Sequence, residues 1–217
     1  MATLRPGEPH PSKIIGVGRN YREHAEEMGH VAPEDEPILF LKASSALVFG
    51  GGEIVRPPES ARVDYEGELA LVIGRKIKSW PQERWLEALS GVTCANDVTA
   101  RDLQKKDGQW ARAKSFDTFC AIGPEVVAGL DPSDLAIETR VNGAVKQTAR
   151  TSEMVFSPAF LVAYISRMMT LLPGDLILTG TPAGVGPLSP GDTVEVTIEK
   201  VGTLSNRVAA GEGGAPR

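Results

Sequence analysis

Two glutamates two residues apart, Glu66 and Glu68, lie in Asp64-Tyr65-Glu66-Gly67-Glu68-Leu69-Ala70-Leu71-Val72-Ile73-Gly74, a stretch that reads as one strand. Strand side chains alternate faces, so Asp64, Glu66 and Glu68 share one face while Tyr65, Leu69 and Leu71 share the other. Acids so placed stand about 7 Å apart and repel one another. A cation between them, a basic side chain beside them or a wet face would each relieve that repulsion. The acids run straight into a β-prone apolar segment, where unpaired charge is expensive, and this weighs against the wet face.

Oxygen-only ligands select hard cations: Mg²⁺ or Mn²⁺, and Ca²⁺ in a roomier cage. A third carboxylate is available in Asp97, which ends the β-like run Gly91-Val92-Thr93-Cys94-Ala95-Asn96-Asp97. A helix-start signal follows at once, with Thr99 as the expected N-cap and Asp102 three residues on. There is no Cys/His cluster with zinc spacing. A second constellation, His24 and Glu27, stands three apart on a predicted two-turn helix over 21–28, capped by Asn20 and stopped by Gly29. Taken alone, that pair reads as a surface contact on a polar helix, worth about 0.5 kcal/mol. Lys114, flanked by small residues and followed by Phe116, could snorkel to solvent or point into a site as a fixed positive charge. The turn Gly180-Thr181-Pro182-Ala183-Gly184-Val185-Gly186 could offer backbone N–H groups to an anion. It has no P-loop ending, which excludes nucleotide binding of that type.

These residues sit in a 217-residue chain, long enough to bury a sizeable core, with 41% hydrophobic and 24% charged residues. A net charge of −5 with scattered basic residues argues against a nucleic-acid partner. No apolar run reaches the roughly 20 residues of a membrane span, and no signal-peptide core is visible, so a cytoplasmic protein is expected. Cys94 and Cys120 then read as reduced core thiols. Strands are expected at 13–18, 38–42, 53–56, 64–74, 91–97, 136–141, 176–179, 193–198 and 202–208, with a hairpin turn at Asn142-Gly143. Helices are expected from Pro81 to about Ser90, with Trp85, Leu86 and Leu89 on the core face. A further helix runs from Pro158 to about Leu172, with Met168 and Met169 in the core. Strands outnumber helices and do not alternate with them, which makes the fold α+β. The reading divides the chain into a flexible segment (1–12), a single catalytic domain (13–208) and a flexible tail (209–217).

Five motifs occur in order: Gly16-Val17-Gly18-Arg19-Asn20-Tyr21, Asp64-Tyr65-Glu66-Gly67-Glu68-Leu69, Ala95-Asn96-Asp97-Val98-Thr99-Ala100-Arg101-Asp102, Lys114-Ser115-Phe116-Asp117 and Thr179-Gly180-Thr181-Pro182. Together they resemble the fumarylacetoacetate hydrolase family, its short single-domain acylpyruvase and oxaloacetate decarboxylase type. The resemblance implies a mixed β-sandwich roll with short flanking helices, a homodimer, and Mg²⁺ or Mn²⁺ held by Glu66, Glu68 and Asp97. It places His24 and Glu27 on a flexible lid as catalytic residues, which reverses the surface-pair reading. Substrate contacts fall on Arg19, Gln104, Lys114 and Thr181, with Gln109 and Lys42 in supporting roles. Ala43 and Ala121 stand where many relatives have proline, and both flank the site.

The implied substrate is a 2-oxo or dicarboxylic acid chelated to the metal. The activity expected first is hydrolysis of a C–C bond in an acylpyruvate or fumarylacetoacetate-like compound, with His24 activating water and Lys114 neutralising developing charge. Oxaloacetate decarboxylation and isomerisation of a 2-hydroxyhepta-2,4-diene-1,7-dioate are the alternatives. A metal-stabilised structural protein is the alternative outside enzymes, although it would need neither His24, Glu27 nor Lys114.

Overall fold

The computed structural model describes residues 11–211. The chain opens with β1 (Ile14–Gly18), α1 (Arg22–Glu27), β2 (Ile38–Lys42), β3 (Leu47–Phe49) and β4 (Glu53–Arg56). Then come β5 (Val63–Tyr65), β6 (Gly67–Ile73), β7 (Leu89–Asp97), β8 (Thr99–Ala100), α2 (Arg101–Asp107), α3 (Ala111–Lys114) and β9 (Cys120–Val127). The chain continues through β10 (Ala136–Val141), β11 (Ala144–Arg150), α4 (Pro158–Met168) and β12 (Leu176–Leu178). It closes with β13 (Gly186–Pro187), β14 (Thr193–Ile198) and β15 (Gly202–Ala210).

A seven-stranded sheet of order β2-β1-β12-β6-β7-β9-β3 packs on a five-stranded sheet of order β11-β10-β14-β15-β4, and a small sheet, β13-β5-β8, stands beside them. Parallel pairs, such as β1 with β12 and β4 with β15, mix with antiparallel ones. This is the mixed-sheet α+β architecture read from the sequence. The apolar side chains of the facing sheets, Ile14, Leu69, Leu71, Ile137 and Val196 among them, form one core. Cys94 and Cys120 are free and buried in it. Burial pushes both thiols up to about 12, so they stay protonated. Among the described residues no helix is long and apolar enough to cross a membrane.

Several local expectations change, three of them because a side chain has a better partner elsewhere. The acidic strand is broken at Glu66: β5 pairs with β13 and β8, whereas β6 pairs with β12 and β7. The break is held by the Asn96 side chain, whose Oδ1 accepts from Glu66 N at 3.0 Å. Asn20 does not cap α1. Its carboxamide is buried, bonding the backbone of Phe156 and Thr179, and Tyr21 takes the cap position. Thr99 lies in β8, and its hydroxyl turns back to the Asp97 carbonyl, which leaves Ala100 ahead of α2. The segment after Pro81 is 3₁₀ over Gln82–Ala88 with a break at Arg84, so Leu86 faces solvent while Trp85 is buried. Helix α4 stops at Met168, which is exposed, and only Met169 packs on the core.

At the N-terminal side, Ser12 and Lys13 are tied to Asp175. At the other end β15 runs to Ala210, and Gly211 N donates to the Arg56 carbonyl. Residues 11–12 and 209–211 are thus joined to the domain; the rest of the two segments expected to be flexible, 1–10 and 212–217, lies outside the described residues.

Candidate active site

Glu68 projects from the start of β6, Glu66 from the break before it, and Asp97 from the end of the adjacent β7. One carboxylate oxygen from each lies within 4.8 Å of the others, and all three residues are buried. The adjacency follows from the register: Gly67 pairs with Asn96, which brings the end of β7 beside the Glu-Gly-Glu turn. Asp97 N also donates to the Glu66 carbonyl at 2.8 Å.

Cations surround two of the three acids. Lys114 donates to Glu66 Oε2 at 2.8 Å and to Asp97 Oδ2 at 2.6 Å, and Lys42 donates to Asp97 Oδ1. Arg101, at the start of α2, bridges Asp64 at 3.0 Å and Glu66 at 2.6 Å, while its third nitrogen reaches Gln104. Burial alone would push the Glu66 carboxyl up. Lys114 and Arg101 outweigh it and hold that group well below the usual carboxylate range. Glu68 differs. Its one hydrogen bond is from Gly180 N, at 2.7 Å, and burial together with the charges of Asp97 and Glu66 pushes its carboxyl well above the usual range. A cluster of hard oxygen donors in which one buried acid lacks a cationic partner fits a divalent cation.

Above the carboxylates opens a cavity of about 510 Å³. Arg19, His24, Glu27, Glu66, Glu68, Gln104, Lys114 and Thr181 all line it, and Asp97 lies beneath its floor. Arg19 has a backbone φ of 57° and no ion-pair partner among the described residues. The exposed Gln109 does not line the cavity; Lys42 supports Asp97 from behind. The ring of Phe40, on β2, packs edge-on against Trp110, and both line the cavity.

Helix α1 closes the rim. Both oxygens of Glu27 accept from Gly184 N, at 3.2 and 3.0 Å, which ties the helix to the turn after β12. The Gly184 carbonyl in turn accepts from Tyr65 Oη at 2.8 Å. His24 Nδ1 is 3.5 Å from Glu27 Oε2 but makes no hydrogen bond of proper geometry, so a buried imidazole nitrogen is left without a partner. Burial pushes the His24 pKa below its ordinary value, leaving the imidazole neutral near pH 7. The Thr181 hydroxyl donates to the Gly67 carbonyl and accepts from Gln147, so its hydrogen is already committed inside the fold.

Residues 13–209 match the model described as fumarylacetoacetate (FAA) hydrolase, C-terminal. The chain belongs to this family. A solved structure from Mycobacterium smegmatis, described as 5-carboxymethyl-2-hydroxymuconate delta-isomerase, is 52% identical, covers 94% of this chain and 81% of its own, and has a TM-score of 0.87. The mitochondrial oxaloacetate tautomerase Fahd2a of Rattus norvegicus is 44% identical over 91% of this chain and 66% of its own length. The fumarylpyruvate hydrolase of Pseudomonas aeruginosa, solved with Mn²⁺ and pyruvate, is 33% identical, covers 97% of both chains and has a TM-score of 0.87. Glu66, Glu68 and Asp97 form a divalent-metal site in a chain of a family of oxo-acid enzymes, one solved member of which carries Mn²⁺.

The residues that the sequence reading left without a role are Arg101, Gln147 and Tyr65. Arg101 carries a signal, since an arginine that opens a helix four residues after a presumed metal ligand starts beside the acidic cluster, although its partners are Asp64 and Glu66 and not Asp97. Gln147 and Tyr65 lie in strands whose alternation gives no such hint.

Proposed function

We propose that this protein is a divalent-metal-dependent isomerase or tautomerase of 2-oxo dicarboxylic acids, moving a proton between carbon and oxygen. The observation that carries the reading is the neutral imidazole of His24 lining the same cavity as the three carboxylates and an unpaired Arg19. Lys105, also on the cavity lining, is likewise without an ion-pair partner among the described residues, so two free cations await two carboxylates. The relatives named as isomerase and tautomerase, at 52% and 44% identity, stand nearer to this chain than the hydrolase at 33%. The hydrolysis expected first from the resemblance therefore becomes the second reading.

In the proposed reaction a C3–H bond breaks, its electron pair becomes the C2–C3 double bond, the C2–O π pair moves onto the 2-oxo oxygen, and that oxygen then takes back the proton that His24 removed from C3. Glu66, Glu68 and Asp97 would hold a divalent cation, whose Lewis acidity would stabilise the negative charge that develops. His24 takes the C3 proton, and Glu27 steadies the imidazolium that results. Arg19 and Lys105 hold the carboxylates, and the third N–H of Lys114, unspent on Glu66 and Asp97, faces the substrate. Helix α1, fastened through Glu27 to Gly184, keeps water away from the carbanionic centre. C–C hydrolysis stays as the second reading because about 510 Å³ is in the range of cavities that hold sizeable ligands, with room for an acylpyruvate and a water.

Mn²⁺-loaded protein should accelerate enol–oxo equilibration of oxaloacetate, followed by enol absorbance, faster than it cleaves an acylpyruvate or releases pyruvate from oxaloacetate. Acylpyruvate cleavage outrunning tautomerisation would exchange the two readings. His24→Ala should lower the tautomerisation rate about 10²- to 10⁴-fold, the usual worth of a positioned acid–base group. The same preparation should keep the wild-type gain in melting temperature on adding Mn²⁺. Loss of that gain would put His24 among the metal ligands instead.

A further inference from the structure

Strand β11 is the edge of the five-stranded sheet, and its residues are exposed or half-buried with one exception. Gln147 is 1% exposed. The ladder with β10 slips at this point: Thr139 pairs with Gln147 and Arg140 with Val145, leaving Lys146 as an extra residue. Such bulges bend a strand and re-aim a side chain.

The buried carboxamide makes three hydrogen bonds, and none of them serves its own sheet. Its Oε1 accepts from Gly67 N at 3.0 Å, while its Nε2 donates to Thr181 Oγ1 and to the Pro182 carbonyl, each at 2.8 Å. The Thr181 hydroxyl completes a ring by donating to the Gly67 carbonyl at 2.9 Å. Both backbone groups of the one residue between Glu66 and Glu68 are therefore fixed by Gln147 and Thr181. Gly67 has no room for a side chain, since a Cβ would stand 2.0 Å from Thr139 Oγ1 and 3.2 Å from Gln147 Oε1. The bulge also supports the turn carrying the lid contact: a Cβ on Gly184 would fall 2.0 Å from the Lys146 carbonyl.

We propose that Gln147 is a positioning residue for the reaction: its carboxamide locks the Glu66-Gly67-Glu68 turn to the Thr181-Pro182 turn, so that metal ligands and cavity wall keep one fixed relation. The proposal rests on the metal reading of the three carboxylates. A buried carboxamide is costly wherever its bonds are not made. A contact serving only to join the sheets would be met by an apolar side chain.

The test uses the full chain loaded with Mn²⁺ and compares the wild type with Gln147→Met, Thr181→Val and Thr181→Ser. The readouts are the electron paramagnetic resonance spectrum of bound Mn²⁺ and kcat and KM for oxaloacetate tautomerisation. Gln147→Met and Thr181→Val should each change the Mn²⁺ spectrum and lower kcat/KM about 10- to 100-fold, the usual effect of removing a group that orients a ligand. Thr181→Ser keeps the hydroxyl and should therefore keep the wild-type Mn²⁺ spectrum, which is the readout that tests the ring. If Gln147→Met does not fold, Thr181→Val opens the same ring from its other side, and its Mn²⁺ spectrum recorded without substrate decides the matter. A lower melting temperature with an unchanged Mn²⁺ spectrum and unchanged kinetics would overturn the proposal, leaving Gln147 a sheet contact. Wild-type protein that gives no bound-Mn²⁺ spectrum would overturn the metal reading itself, a result that needs no variant.

Discussion

Glu68→Gln is expected to abolish metal-dependent turnover while leaving the metal-free protein as stable as the wild type, or more so. Glu68 is 2% exposed, and its one hydrogen-bond donor is Gly180 N, at 2.7 Å. Burial, then Asp97 and Glu66, push its carboxyl well above the ordinary range. Unfolded at pH 7, the same group is ionised, so folding without metal must either bury the charge or take up a proton. The sign follows: a carboxyl whose folded pKa is raised costs stability above its ordinary value, and the cost grows as pH rises from there toward the folded value. The amide has the acid's shape, can still accept from Gly180 N, and escapes that cost. It also removes a negative ligand from a three-carboxylate site. A ligand at 100 times its Kd stabilises a protein by about 2.7 kcal/mol, and this is the gain that the variant should lose. Melting curves with and without Mn²⁺ check both halves. A variant that keeps the full Mn²⁺ gain would remove Glu68 from the metal site.

The ligands were legible in the sequence because their spacing is local. Glu66 and Glu68 follow from strand alternation, Asp97 from its place at a strand end, and His24 with Glu27 from helical spacing. The resemblance to a known family added Arg19, Gln104 and Thr181, all of which line the cavity. What stayed hidden depends on partners distant in the chain. The break at Glu66 needs the side chain of Asn96, 30 residues on, and Asn20 leaves the helix cap for backbone 136 and 159 residues away. Gln147 sits in a strand with a solvent-facing pattern and is turned inward by a bulge that composition does not announce. Helical periodicity puts Leu86 and Met168 in the core, but the 3₁₀ break at Arg84 and the early end of α4 turn them out.

Lys114 is the residue whose reading changes most, and the change gives a large stability effect. From the sequence it is either a solvated lysine or a fixed positive charge pointing into the site. In the structure its ammonium is 2% exposed, bonded to Glu66 and Asp97, and 4.9 Å from the centre of the Phe40 ring. Lys114→Met keeps most of the apolar stem against Phe40 but leaves two buried carboxylates short of a cation, with only Arg101 and Lys42 still bonded to them. Removing one partner of a buried ion pair costs about 3–5 kcal/mol, a large part of the roughly 5–15 kcal/mol that holds a domain together. For a chain of this length, that is a fall of about 6–20 °C in the metal-free melting temperature. A divalent cation on Glu66, Glu68 and Asp97 supplies the missing positive charge, so the variant should gain more from Mn²⁺ than the wild type does. Activity should nevertheless stay low in saturating Mn²⁺, because in the proposed reaction Lys114 also donates a hydrogen bond to the substrate. Thermal melts in chelator and in Mn²⁺, with kinetics on the same preparation, separate the two roles. A metal-free melting temperature equal to that of the wild type would show that the carboxylates do not depend on Lys114, and wild-type kcat/KM in Mn²⁺ would confine the residue to holding the ligands.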